Sequence, residues 1–353
     1  YESKKNNYEV KFSTIISKYT YQENGGLLNE RNYEEKIYDD TQNYLVNLNT
    51  SNSYNKRYKY SVDQRLNLFG LYNDSIRDGN IYLKHRVSYS ADQKVFYDNE
   101  PNSLIYNAIF LDSLLSVDSI YSNNFSNTAF IGISKKNYEI DLFGQYDLKK
   151  YEQSFGIIAD YHNTYGGMSV KYSKNKLLVD GIAKVALSGY REGDVESEFI
   201  FSLDKKKYNF GGGASYHLNE PSLKLFNYNS NHFKWTNTYF NKQSVISVNV
   251  NLRVKKIALD FNIENKILNN TFYYDSLANA NQFLGSSSIT SFTLGKNYKI
   301  LNFHFRSALI YQISSDEVLF PLPEILARQL IDYQKYMFFL FESINLLIIN
   351  SFW

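Results

Sequence analysis

The stretch IALDFNIENK, residues Ile257–Lys266, alternates apolar and polar side chains almost without exception. Successive side chains of a β-strand point to opposite faces, so this alternation predicts a strand with one apolar side and one polar side. The apolar side would carry Ile257, Leu259, Phe261 and Ile263, and the polar side Asp260, Asn262 and Glu264.

The same pattern recurs along most of the chain. Other clear examples are YKYSVDQRLNL (Tyr58–Leu68), IYLKHRVSY (Ile81–Tyr89), YEIDLFGQY (Tyr138–Tyr146) and LNFHFRSALIY (Leu301–Tyr311). Roughly sixteen such segments of about ten residues can be counted, and about ten residues let a tilted strand cross a bilayer. The sequence therefore predicts an all-β fold, an antiparallel transmembrane β-barrel of about 16 strands.

Composition supports a membrane barrel and excludes several other classes. The 353 residues include 33 Tyr and 25 Phe but only 4 Pro, and the mean hydropathy of −0.43 is too low for a helical membrane protein. Aromatic side chains are typical of the belts where a barrel meets the lipid–water boundary. A net charge of +2 gives no indication of nucleic-acid binding, and the lack of cysteine excludes disulfides and thiol chemistry.

A soluble β-sandwich or a β-solenoid would also alternate. A solenoid should show a repeat of fixed period, and none is found. The predicted apolar faces end in aromatic residues, as at Tyr58, Tyr60, Tyr138 and Tyr146, where a sandwich core would favour Val, Ile and Leu. These two features favour the barrel.

The predicted connections are of two kinds. Tight polar turns are predicted at Asn55–Arg57, Ser173–Lys176, Asp204–Lys207 and Val254–Lys256, and long loops at Glu23–Gln42, Ala91–Asn124, Asn219–Asn231 and Asn269–Ser286. Short turns at one end and long loops at the other are typical of outer-membrane barrels. The two kinds do not alternate strictly along the sequence, which indicates a miscounted strand near Leu104–Leu111.

Motifs for catalysis or cofactor binding are not found. The five histidines are scattered without metal-ligand spacing, and FGGGASY at Phe210–Tyr216 indicates a bulge or a close backbone approach inside a strand. His304, between Phe303 and Phe305, is interpreted as a polar-face residue, although a catalytic pairing with Asp260 or Glu264 stays open as a hydrolase hypothesis. We expect no enzyme activity, no cofactor and no metal.

In a barrel, the polar faces form the lumen and hence the functional surface. The predicted lumen-facing residues are Asp63, Arg65, Lys84, Arg86, Glu139, Asp141, Asp260, Glu264, His304 and Arg306. Charges of both signs on opposite walls would create a transverse field with weak ion selectivity. Alternatively, these charges pair with each other or only solvate the interior.

Several irregular stretches are more specific than the alternation. In order along the chain they are YTYQENGGLLNE (Tyr19–Glu30), IYLKHRVSYS, YNAIFLDSLLSVDSIYSN, LSGYREGDVE (Leu187–Glu196), LNEPSLKLFNYNSNHFKWTNTYF (Leu218–Phe240) and LIYQISSDEVLFPLPE (Leu309–Glu324). The chain from about Tyr8 to Tyr336 thereby resembles the "putative porin" family of Bacteroidota outer membranes. The most diagnostic elements are the Glu220-Pro221 loop with Ser230–Phe233 and Trp235, followed by Pro321–Glu324. The resemblance implies an outer-membrane barrel of porin type.

Both ends depart from that family. The chain begins at Tyr1 rather than Met, which indicates a processed product or a fragment. Residues 1–336 are assigned to the barrel, and residues 337–353 to an atypical apolar tail that is too short for a spanning helix and apolar on both faces as a strand. We favour a frame slip near Met337. With both ends truncated, we expect an open or imperfectly closed barrel with a loosely attached or helical tail.

Two functions from different classes follow. The first is an outer-membrane channel for passive diffusion of small hydrophilic solutes, surrounded by outer-membrane lipid and inserted by barrel-assembly machinery. The second is a barrel that acts as a structural or assembly partner in a secretion or surface-protein complex, which the long loops Glu23–Gln42 and Ala91–Asn124 favour. The oligomeric state and the solute do not follow from the sequence.

Overall fold

A computed structural model describes residues 7–38, 44–73, 76–101, 105–106, 108–275, 277–334 and 343–346. The strands are β1 Tyr8–Gln22, β2 Ser51–Asn73, β3 Ile76–Asp98, β4 Ser116–Lys135, β5 Tyr138–Gln153, β6 Ile157–Lys174, β7 Leu177–Gly189, β8 Val195–Asp204, β9 Tyr208–Asn219, β10 Asn227–Asn229, β11 Lys234–Thr236, β12 Gln243–Val254, β13 Leu259–Tyr274, β14 Ala280–Ile300, β15 Phe303–Ser314, β16 Ile325–Gln334 and β17 Ser343–Leu346.

Among the residues that the structure describes, helical structure is limited to three short pieces in the connections. They are α1 Glu30–Glu34, α2 Leu223–Phe226 and a 3-10 turn at Lys255–Ile257. Within the described ranges, no helix has the length and apolar character needed to cross a bilayer.

One antiparallel sheet contains almost all of the strands. Its fifteen strands follow the chain order from β1 to β9 and from β12 to β17, while β10 and β11 form a separate hairpin. Each strand pairs with its sequence neighbour because alternating segments joined by hairpin turns can bury their backbone polar groups only in this ladder. The prediction of an all-β, antiparallel fold with about 16 strands is confirmed.

The connections at one end of the sheet are all short where they are described. The residues between β6 and β7 are Asn175 and Lys176, with φ of 48° and 68°, the left-handed values that a tight hairpin turn requires. The long connections, residues 23–50, 99–115 and 220–242, lie at the opposite end. That end also carries short connections, such as residues 154–156 and 190–194, so long and short connections do not alternate strictly, as the sequence indicated.

Three predicted boundaries were wrong for the same reason, since polar residues continue inside long strands. The predicted turn Asn55–Arg57 lies within β2. The predicted loops Ala91–Asn124 and Asn269–Ser286 shrink to residues 99–115 and 275–279, because β3, β4, β13 and β14 extend into them. The described residues of Leu104–Leu111 belong to that loop and form no strand. Ile257 precedes β13 and lies in the 3-10 turn.

The sheet is strongly curled. Ser13 of β1 and Glu196 of β8 line one cavity of about 740 Å³, although their strands are seven places apart in the sheet order. Seven places across a flat sheet would separate them by roughly 33 Å. The two strands therefore face each other across a concave, mainly polar surface.

Burial is inverted relative to a soluble protein. A row of cross-strand neighbours on the convex side, Leu66, Leu83, Ile131 and Leu142, is 41–56% exposed. On the concave side Tyr82 is fully buried and Tyr165 is 4% exposed. An apolar band that faces outward is what a bilayer stabilises, because lipid replaces the protein core as its apolar partner.

The two ends of the sheet are β1 and β17, and within the described residues no ladder joins them. This agrees with the expectation of an open sheet. The described part of the tail, Ser343–Leu346, pairs with Ile331–Gln334 of β16, so the expectation of a tail without a partner was wrong for these residues. Residues 335–342 and 347–353 lie outside the described ranges, and the frame slip stays a prediction.

Candidate functional site

All of the predicted lumen residues lie on one side of the sheet. Directly paired residues of antiparallel strands point to the same face, and the register joins Asp63 to Arg86 and Arg65 to Lys84. Across β4, Arg86 pairs with Thr128 and Thr128 with Gln145, while Lys84 pairs with Phe130 and Phe130 with Phe143. The register of the later strands places Asp260, Glu264, His304 and Arg306 on the same side. We call it the polar face, and the opposite side the apolar face. Exposure of the polar face to a water-filled lumen stays a prediction.

Four of the predicted residues meet in one charge cluster near the short-turn end. The ammonium group of Lys84 contacts Glu139 and lies 3.0 Å from Asp141 Oδ2. The guanidinium group of Arg65 lies 3.6 Å from Glu139 Oε2. Two cations and two carboxylates therefore neutralise each other across strands β2, β3 and β5.

Tyr82 is the residue of this cluster that the sequence did not single out. Its hydroxyl donates a 2.7 Å hydrogen bond to Asp141, and its ring lies under the Arg65 guanidinium at 3.8 Å. The ring crosses β4 at Gly132, where a Cβ atom would come within 2.4 Å of it. Glycine is thus required on β4 for Tyr82 to reach Asp141.

The other predicted residues form separate pairs. Asp63 binds Arg86, Asp260 lies 3.5 Å from Arg253, Glu264 lies 3.0 Å from Lys266, and Arg306 lies 2.6 Å from Asp332. Of the two interpretations left open by the sequence, mutual pairing is therefore observed. It does not exclude ion selectivity, since neighbouring pairs of opposite sign still create local fields.

The structure does not bring His304 to either carboxylate of the hydrolase hypothesis. Its register partners are Lys299 on β14 and Asp332 on β16. Asp260 and Glu264 lie on β13, and a whole strand separates β13 from β15. The proposed catalytic pairing is not formed.

The connection between β9 and β12, residues 220–242, folds back over the polar face, and we call it the crossing segment. Both of its ends are held by Asp194, which is 2% exposed and lies in the turn after β7. Asp194 Oδ1 accepts hydrogen bonds from the Glu220 amide at 2.8 Å and from Lys242 Nζ at 2.6 Å. One buried carboxylate therefore fixes where the segment leaves and rejoins the sheet.

Asn231 anchors the tip of the crossing segment. Its side-chain carbonyl accepts from the amides of Leu111 and Asp112 at 3.0 Å each, and its NH2 donates to Asp112 O and Ser116 Oγ at 2.8 and 2.7 Å. The backbone amide of Asn231 also donates to Asp118 Oδ1 at 2.8 Å. Asn231 is 1% exposed, so these bonds are shielded from water.

His232 continues the anchor into the loop between β3 and β4. Its ring stacks on Tyr106 with 3.5 Å between centroids, and its Nε2 lies 2.6 Å from Ser116 Oγ. The Tyr106 hydroxyl donates to Asp98 at 2.9 Å. Burial, together with this bond to Asp98, raises the pKa of Tyr106, so the phenol stays a hydrogen-bond donor.

Between these anchors the segment contacts strands on both sides of the concavity. Gln153 at the end of β5 bonds Asn227 and Asn229. On the other side Asn237 donates to Ala280 O of β14 at 3.0 Å. The contacts thus run from β4 to β14, eight places apart in the sheet order, and the crossing segment narrows the long-loop end of the polar face.

The sequence had marked the Glu220-Pro221 loop, Ser230–Phe233 and Trp235 as family-diagnostic but assigned them no role. Their partners Asp112, Ser116 and Asp194 are remote in the chain, so the apolar–polar pattern carried no signal for the contact. The short polar turn around Asp194 lies in the stretch Leu187–Glu196, which the sequence analysis had also marked without assigning it a role.

Solved structures define the class of protein. The chain is similar to the siderophore receptor PirA from Acinetobacter baumannii, with a TM-score of 0.57, 9% identity, and coverage of 94% of this chain and 55% of that one. It is also similar to a variant of the ferric enterobactin receptor from Pseudomonas aeruginosa, with a TM-score of 0.58, 10% identity, and coverage of 94% of this chain and 53% of that one. A third similar structure is the FrpB iron transporter from Neisseria meningitidis, with a TM-score of 0.54, 8% identity, and coverage of 93% of this chain and 62% of that one. At such identities the likeness shows the fold alone, an outer-membrane β-barrel.

The family is shown by the sequence itself. Residues 1–343 match the model of the family described as "Putative porin", and the chain belongs to that family. Its place is the bacterial outer membrane. Among curated proteins, none matches the chain in sequence. The chain spans 53–62% of the length of the three solved structures named above.

Proposed function

We propose that this protein is a channel for the passive diffusion of small hydrophilic solutes across the outer membrane. The observation that carries the proposal is the polar cavity of about 740 Å³ between β1 and β8. Most of its lining side chains are charged, hydroxyl or amide groups, with the pairs Asp63–Arg86 and Lys184–Glu196 among them, and four are apolar. The polar part of such a wall keeps water while it binds no ion permanently. The proposal assigns no catalytic step to His304 or to any other residue.

The crossing segment supports size selection in this channel. It reaches from β4 to β14 and is fixed at its tip and at both ends by buried residues. A fixed obstacle at one end of a polar pathway limits the diameter of a solute without requiring a conformational change. Insertion by barrel-assembly machinery and the oligomeric state stay predictions.

Planar-bilayer recording of the full-length, folded protein tests the proposal. We expect discrete conductance steps that neutral polymers block only below a defined size. A folded protein that inserts but never conducts would contradict the channel, and co-purifying proteins in that case would favour the alternative of a structural or assembly partner.

Lys84→Gln tests whether the paired charges affect selectivity. The substitution leaves Glu139 and Asp141 with Arg65 as their remaining cation, so the polar face gains negative charge. We expect the ratio of cation to anion permeability to rise about two- to fivefold, which corresponds to about 0.4–1 kcal/mol. The measurement is the reversal potential in a salt gradient. Lys56→Gln on the apolar face is the control, and equal shifts in both variants would contradict a role for the cluster.

A further inference from the structure

Below the crossing segment the polar face holds a lysine without a partner. Lys149 lies on β5 between Asn124 of β4 and Tyr161 of β6. It is half-buried, and its ammonium group makes no hydrogen bond or ion pair with any residue in the described ranges. Lys184 on the same face, in contrast, lies 2.8 Å from Glu196. A sheltered ammonium group without a carboxylate is unusual, because desolvation penalises the charge.

Two further donors lie beside it. Asn163 of β6 is fully buried, and its Nδ2 has no hydrogen-bond partner among the described residues. The Oδ1 atom of the same side chain accepts from the amide of Arg191 at 2.8 Å, which brings the turn after β7 over the polar face. The Nε atom of Arg191 is also buried and without a partner there. Buried donors without acceptors destabilise the folded protein, so a ligand that accepts from them would be stabilised.

The balance of charge around Lys149 is positive. The groups within electrostatic reach of Lys149 are the cations Arg191 and Lys184 and the carboxylates Asp147 and Glu196. Glu196 is bound by Lys184 and Asp147 accepts from Gln145 at 2.8 Å, so both carboxylates already have partners. Together with Lys149, three cations face two carboxylates.

Arg191 is itself only loosely paired. Its guanidinium NH1 lies 3.7 Å from Asp194 Oδ2, while Lys242 holds the other oxygen of Asp194 at 2.6 Å. The Nε edge of the guanidinium group therefore stays free to bind an acceptor.

We propose that Lys149, Arg191 and Asn163 form a subsite for an oxyanion, the carboxylate or phosphate group of a small solute. The proposal rests on the channel function above and adds the class of solute. The subsite lies four residues along β5 from Gln153, which binds the crossing segment, a distance of roughly 13 Å. A solute that passes the crossing segment meets these donors next, and an ammonium, a guanidinium and an amide N–H bind oxyanions through charge-assisted hydrogen bonds.

Calorimetric titration of the full-length protein in detergent, with succinate and with inorganic phosphate in separate experiments, tests the subsite without requiring conductance. We expect saturable binding of at least one of the two anions. Lys149→Gln should weaken it about tenfold or more, and Lys149→Arg should retain it within about threefold. Lys150→Gln is the matched control, because Lys150 is the next residue of β5, lies on the apolar face and binds Glu152.

Binding that Lys149→Gln weakens and Lys150→Gln leaves unchanged supports the subsite, and the preferred anion identifies the chemical source of the oxyanion. The proposal is overturned if the wild-type protein binds neither anion, or if Lys149→Gln binds as tightly as wild type. A protein that conducts could still fail to bind either anion, and a protein that does not conduct could still bind one of them saturably. The subsite and the channel therefore fail separately.

Discussion

Replacing Asn231 with alanine should loosen the tip of the crossing segment, which would keep the backbone bond to Asp118 and the contacts of His232. The side chain makes four hydrogen bonds, to Leu111, Asp112 and Ser116. Their loss, with buried partners left unpaired, should destabilise the local contact by about 2–5 kcal/mol. Hydrogen exchange at the Leu111 and Asp112 amides, which donate directly to Asn231, should accelerate about 30-fold or more.

The same substitution should raise the single-channel conductance and admit larger neutral polymers, because the segment narrows the pathway only while it is held in place. Asn229→Ala is the matched control. Asn229 lies in the same segment, and its bond to Gln153 uses the backbone amide, which alanine keeps. If Asn231→Ala and Asn229→Ala showed the same amide hydrogen exchange and the same conductance, the crossing segment would not be the constriction.

Replacing Tyr82 with alanine should cause the largest loss of stability of any substitution on the polar face considered above. The side chain is fully buried, packs across Gly132 and binds Asp141. Removing a buried aromatic side chain costs about 3–5 kcal/mol, because it leaves a cavity that the rigid ladder cannot fill. Urea unfolding of the protein in lipid vesicles measures this loss.

Two variants identify the cause of that loss. Tyr89→Ala removes the same side chain from the same strand, but Tyr89 is 37% exposed on the apolar face, so its cost should be smaller. Tyr82→Phe keeps the packing and loses only the bond to Asp141, for about 1–3 kcal/mol. Equal losses for Tyr82→Ala and Tyr89→Ala would show that the contact across Gly132 contributes no special stability.

The faces of the strands could be predicted from the sequence because alternation with period two determines which side each residue occupies. Asp63, Lys84 and Glu139 were therefore placed correctly on one side before any register was known. Strand ends were harder to predict. Asn55, Lys56 and Arg57 form a polar run that predicted a turn, yet all three lie within β2. Lys56 is on the apolar face, where its ammonium group lies 4.8 Å from the ring of Tyr58.

The contacts that shape the site could not be predicted in this way. Tyr82 needs a glycine on the next strand, and Gly132 is fifty residues away in sequence, so an apolar–polar pattern carries no information about the match. The anchors of the crossing segment pair Asn231 with Asp112 and Lys242 with Asp194. These are single polar contacts over long sequence separations, and neither periodicity nor composition encodes them.

The central claim is that the polar face lines a water-filled pathway, and single-cysteine labelling along β3 tests it most directly. These 353 residues contain no cysteine, so each introduced thiol is the only one among them. Ser88 and Ser90 lie on the polar face, and Ser88 lines the cavity of about 740 Å³, whereas Val87 and Tyr89 lie on the apolar face.

For the full-length protein in lipid, a charged, membrane-impermeant thiol reagent should modify both Ser88→Cys and Ser90→Cys. Modification should also lower the conductance of the Ser88→Cys variant. Val87→Cys and Tyr89→Cys should stay protected by lipid. Labelling of Val87→Cys and Tyr89→Cys with Ser88→Cys unreactive would contradict the account.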